Sequence, residues 1–66
     1  MTMPYERTRA VLETREFLLA LTRPTHTPDV PEPIRQRALA LLRHYPNAGD
    51  MNLVHSAIPN WFGPPK

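Results

Sequence analysis

The one long stretch with neither Pro nor Gly and with a helical spacing of apolar residues is Tyr5–Leu21, YERTRAVLETREFLLAL. The nine prolines of the chain all fall outside it, so any sizeable helix must be built there and the remaining elements must be short. At about 100° per residue, Ala10, Thr14, Phe17 and Leu21 share one sector with Val11 and Leu18 beside them, which predicts the packing face. Leu12 and Leu19 lie nearly opposite, flanked by Tyr5 and Thr8, while Glu6, Arg9, Glu13 and Glu16 fill the strip between. A helix with two apolar edges results, and one hairpin partner covers only the first of them.

Proline placement sets the remaining boundaries. Pro4 suits a first helical turn, where a missing N–H is no loss, with Thr2 or Met3 as the cap and Thr2 the better chemical candidate. Pro24 restricts Arg23 to extended geometry, so the helix stops at Leu21 or Thr22, and Arg23–Val30 is a polar loop. Helix two is expected from about Glu32 to Tyr45 after an irregular first turn. Its cap is either Val30, or Asp29 in a D-x-x-E capping box with Glu32. Ile34, Ala38, Leu41, Leu42 and Tyr45 form its stripe, with Leu39 to one side. Pro46 ends it, Asn47–Asp50 reads as a turn, and Asp50 caps a short helix Met51–Ile58 that Pro59 closes. The segment Asn60–Lys66 carries Trp61 and Phe62, which fold back on the core or fill a partner's pocket, and ends in an extended Gly-Pro-Pro sequence. The expected fold is all-α: a helical hairpin with a short third helix and an extended proline-rich C-terminal tail, one small domain over residues 1–66.

A chain of this size buries only about 60% of its unfolded surface, and without cysteine it has neither disulfides nor thiolate metal sites to supplement a thin core. Oligomerisation is the remaining device. The net charge of +2 is a mild bias, but it is asymmetric. Glu6, Glu13, Glu16, Asp29 and Glu32 lie in the first half, whereas Arg35, Arg37, Arg43 and Lys66 face only Asp50 in the second. With no long apolar run and no secretory signal pattern, the expectation is a cytoplasmic protein that does not enter a membrane.

Few residues suggest chemistry. Glu13 and Glu16, three apart beside Arg9, read as a solvated helix face rather than a catalytic pair. His26, His44, Asp50 and His55 lack metal-binding spacing, neighbouring His55 and Ser56 diverge on a helix, and Gly49 and Gly63 are too few for a phosphate loop. The sequence therefore predicts no enzymatic activity, no cofactor and no metal. Arg35, Arg37 and Arg43 are the candidate nucleic-acid contacts, although the third helix that would follow them contains no Arg or Lys. Leu12, Leu19, Leu39, Trp61 and Phe62 are the candidate protein interface, because they ask for more cover than one short chain supplies.

The strings PYERTRAVLETREFLLAL and IRQRALALLRHYPNAGD, joined by a short proline-containing loop, resemble a family of short uncharacterised proteobacterial proteins. In that family, strings similar to ERTRAVL, TREFL and LLRHYP recur at these separations. The resemblance covers about Met3–Asp50 and implies no activity, ligand or site residue. One departure is Gly49, where an acidic residue is common, implying a looser cap on the third helix. The sequence reading is a non-enzymatic protein-interaction or small regulatory module that self-associates as a homodimer or binds another protein. The alternative is a nucleic-acid-binding protein using the basic face of helix two.

Overall fold

The computed structural model describes residues 2–65. Three helices follow in order: α1, Pro4–Leu21; α2, Glu32–Leu42; and α3, Ala48–Ala57. The fold is all-α, a helical hairpin followed by a short third helix. The described residues group into two compact units, Met1–Glu13 with Pro46–Lys66, and Thr14–Tyr45, so α1 contributes its first part to one and its second part to the other.

Helix α1 begins at Pro4, as expected from the harmless loss of an N–H there. Its flanking residue is Met3, whose carbonyl accepts from the Glu6 and Arg7 amides and whose own N–H donates to the Glu6 carboxylate at 2.7 Å. This is the reciprocal half of a capping box, so Thr2 is not needed as the cap. At the other end, the Thr22 amide bonds the carbonyls of Leu18 and Leu19, and the Thr22 hydroxyl donates to the Leu19 carbonyl at 2.7 Å.

Helix α2 starts where predicted, but with Pro31 as its N-cap and no side-chain capping bond. The expected Asp29–Glu32 box is absent. Pro31 is extended, at φ −62° and ψ 149°, and its carbonyl takes the Ile34 and Arg35 amides; Pro33 fits the donor-free first turn. The helix ends at Leu42, short of Tyr45. His44 and Tyr45 amides instead reach back three residues to Leu41 and Leu42, tightening the chain ahead of Pro46.

Helix α3 begins earlier than expected because Asn47, rather than Asp50, is its cap. The Asn47 side chain accepts from the Asp50 amide at 2.9 Å, and the Asp50 carboxylate accepts from the Asn47 amide at 3.0 Å. The predicted turn Asn47–Asp50 is thus the cap and first turn of the helix. With that box complete, Gly49 leaves the cap intact.

Burial along α1 bears out the predicted packing face only in part. Leu21, Val11 and Leu18 of that face are half-buried, but Ala10, Thr14 and Phe17 are exposed, and the opposite side is covered as well, through the buried Thr8 and the half-buried Leu12, Arg15 and Leu19. Phe17 is 61% exposed and lies about 180° around the helix from Thr8. Two polar residues disguise the covered side: Thr8 donates a buried hydrogen bond, and Arg15 is half-buried with its Nε buried. On α2 the predicted stripe holds in part. Ala38 is buried and Leu42 and Tyr45 are half-buried, but Ile34 and Leu41 are exposed and Arg35 takes the inward position.

Within the unit Thr14–Tyr45, Arg35 closes the hairpin. Only 6% exposed, it donates from Nη1 to the Leu21 carbonyl at 2.8 Å and to the Thr27 hydroxyl at 3.0 Å, and from Nη2 to the Thr27 carbonyl. The Thr27 hydroxyl in turn donates to the Ala20 carbonyl at 2.9 Å. A guanidinium thus occupies the C-terminal end of α1, where carbonyls lack intrahelical partners and the helix dipole favours positive charge. Replacing Arg35 with Ala is expected to cost about 2–4 kcal/mol, since buried hydrogen bonds to a charged group are each worth about 1.5–3 kcal/mol but are not additive. Arg35→Lys should recover little, because one ammonium does not reproduce the planar fork. Urea denaturation checks both, and a loss under about 0.5 kcal/mol for Arg35→Ala contradicts the assignment.

Candidate functional site

The sequence-predicted site residues separate into three groups. Leu12, Leu19 and Phe62 are half-buried, so they contribute to the protein's own packing; Leu39 and Trp61 remain exposed. Among the basic residues, Arg37 and Arg43 are exposed, but Arg35 is turned inward to close the hairpin. Arg rarely enters a core, which points to a surface cation at this position, whereas here it donates to the Leu21 carbonyl and to the Thr27 carbonyl, which also accepts from the Val30 amide. Large apolar residues outside the predicted interface, Phe17, Ile34, Leu41 and Leu53 among them, are exposed.

In the unit formed by Met1–Glu13 and Pro46–Lys66, a polar seat organises the surface. The Arg7 guanidinium donates to the Trp61 carbonyl at 2.9 Å and also lies over the Trp61 ring, 5.0 Å from its centroid. The Thr8 hydroxyl donates to the Gly63 carbonyl at 2.7 Å in a buried contact, and the Gly63 amide donates to the Pro4 carbonyl at 2.9 Å. From α3, His55 Nδ1 lies 2.9 Å from the Phe62 carbonyl, which requires the proton on that ring nitrogen. Three consecutive carbonyls and one amide are therefore held by side chains of α1 and α3 and by the start of α1.

Gly63 is required there by space rather than by backbone angle, since no glycine among the described residues has positive φ. A Cβ at Gly63 would fall 2.7 Å from Tyr5 Cα and 2.8 Å from Tyr5 N, and that backbone cannot yield. The expectation that Trp61 and Phe62 fold back on the core holds for Phe62, which is half-buried, and fails for Trp61, which is exposed. The tail first makes a turn, with the Trp61 and Phe62 amides bonded to the Ile58 carbonyl, before the irregular Gly63–Pro65 stretch. Phe62 is tucked in, whereas Trp61 stays outside with Arg7 across it. Sequence reading singled out the aromatic pair but missed the seat, because its contacts go to backbone groups that any residue carries.

The remaining chemistry-bearing side chains do not converge. His26 and His44 are exposed, Glu13 and Glu16 are exposed on α1, and Asp50 is engaged at the start of α3. Among the described residues, no group of three or more His, Cys, Asp or Glu is placed to hold a metal ion. No helix among them is long and apolar enough to cross a membrane.

Comparison with family models, curated proteins and solved structures gives no match. The resemblance carried by the ERTRAVL, TREFL and LLRHYP strings accordingly adds nothing to the functional reading.

The seat makes its own prediction about stability. Thr8→Val keeps the shape of the side chain but leaves the Gly63 carbonyl without its buried donor, an expected cost of about 1–3 kcal/mol. Thermal unfolding followed by circular dichroism and by Trp61 fluorescence checks it: both signals should move to lower temperature together. An unchanged midpoint contradicts the seat.

Proposed function

We propose that the chain is a non-enzymatic protein-interaction module that self-associates. The observation carrying this reading is the distribution of apolar residues in the unit Thr14–Tyr45. Ala38 is the one fully buried hydrophobic residue described there, while Ile34, Leu39 and Leu41 on α2 are 44%, 48% and 53% exposed and Phe17 on α1 is more exposed still. Scattered apolar residues are ordinary on protein surfaces, but four large exposed ones in a unit with one fully buried hydrophobic residue, Ala38, and otherwise half-buried apolar residues leave it with a thin core. A second copy of the chain presents the same deficit and is therefore a self-complementary partner by symmetry.

Nucleic-acid binding is the weaker reading, because Arg35 is engaged within the hairpin and only Arg37 and Arg43 of its three candidate contacts are exposed. Sedimentation across the micromolar range tests the proposal, which expects a concentration-dependent dimer. The double substitution Phe17→Asp and Leu41→Asp should convert that dimer to monomer with helical content unchanged, since both positions face solvent in the single chain. A wild-type protein that stays monomeric at hundreds of micromolar would sink the reading.

A further inference from the structure

We infer that the seat formed by Pro4, Arg7, Thr8 and His55 is a peptide-binding site, filled in cis by the chain's own Trp61–Gly63 and open in trans to the same segment of a second copy. This goes beyond the apolar surface of α2, since it uses different residues in the other unit. The seat treats the segment as a ligand: Arg7, His55 and Thr8 hold the carbonyls of Trp61, Phe62 and Gly63 in succession, and Pro4 takes the Gly63 amide. Backbone contacts of this kind supply affinity and register, and selectivity comes from the side-chain positions. The first position must present an aromatic ring to the Arg7 guanidinium. At the third, a Cβ would collide with the Tyr5 backbone, so only glycine is admitted.

A second copy meets both requirements because it carries the same sequence. Exchange has a low structural cost. The connection from α3 to the seat is Ile58–Asn60, and the bonds that fold it back are those from the Trp61 and Phe62 amides to the Ile58 carbonyl. Opening this turn gives up those two bonds, while every seat contact is re-formed between copies. Pro64 and Pro65, next along the segment, restrict its backbone and lower the entropy lost on docking. Besides those two bonds, the cis arrangement is favoured by effective concentration, which for a short connection is of millimolar order. Shortening the connection removes that advantage and leaves exchange as the way to fill the seat.

The test deletes Pro59 and Asn60 in the full chain carrying Phe17→Asp and Leu41→Asp, so that association through the α2 surface is suppressed. The expected result is a dimer forming at a concentration at least ten-fold lower than in the same background without the deletion, and its loss on adding Gly63→Ala. A monomer, or a dimer indifferent to Gly63→Ala, overturns the inference. An independent measurement uses the unaltered chain, isotopically labelled, titrated with an unlabelled synthetic peptide of the sequence NWFGPP. Millimolar peptide should displace the chain's own segment, moving the labelled Trp61 indole and Gly63 amide signals to their free positions, while a peptide with alanine in place of glycine should not. Absence of displacement at ten times that concentration also overturns the inference, even if the deletion variant does not fold.

Discussion

The contact of the Arg35 guanidinium with the last carbonyl of α1 and with Thr27 sets the terms on which the rest of this structure is held together. A helix end leaves carbonyls without partners, and in most chains the following amides take them. Here Pro24, Pro46 and Pro59, one shortly after each helix, remove amides from the segments that would do so. Side chains add donors: the Thr22 and Thr27 hydroxyls join the Thr22 and Arg23 amides on the Leu19 and Ala20 carbonyls, Arg35 serves Leu21 and Thr27, and in the other unit Arg7, Thr8 and His55 serve the tail. The two buried polar residues, Thr8 and Arg35, are both members of this set. With Ala38 and Met51 the only fully buried hydrophobic residues described, directional polar bonds carry an unusual share of the specification.

That reliance explains what was legible in the sequence. Helix positions were, because prolines and the Pro-free run act locally: Pro4 opens α1, the predicted end at Leu21 holds, and Glu32 opens α2. The inward face of α1 was not. Ranking positions by hydrophobicity favours Phe17 over Thr8, yet Thr8 is inside because the Gly63 carbonyl, fifty-five residues away, needs its hydroxyl. Arg35 was misplaced for the same reason, since its partners Leu21 and Thr27 are defined only once the hairpin has closed. Caps were predicted by chemical type but misassigned by position. Asp50 is indeed part of a capping box, as its third helical residue rather than its cap, and Pro31, rather than Val30 or Asp29, is the cap of α2.

The functional reading follows from the same economy of core. A unit that encloses Ala38 while leaving Phe17, Ile34, Leu39 and Leu41 in water has apolar surface to offer a second copy. The other unit satisfies its tail by recognising backbone, a mode of binding indifferent to whether the segment belongs to the same chain. Leu12 and Leu19, the edge that looked unmatched in the sequence, are part of the protein's own packing. Under the proposal of self-association, the exposed Phe17, Ile34, Leu39 and Leu41 and, through exchange, the seat that holds Trp61–Gly63 are what the chain offers a second copy.

Side-chain donors and the start of α1 hold three successive carbonyls and one amide of the tail. Amide hydrogen exchange of Gly63, measured against amides in the middle of α2, tests this most directly. The Gly63 amide is bonded to the Pro4 carbonyl at 2.9 Å within a buried residue, so the account predicts protection comparable to that of the helix. Exchange of Gly63 at the rate of an unstructured peptide, with α2 still protected, would contradict it.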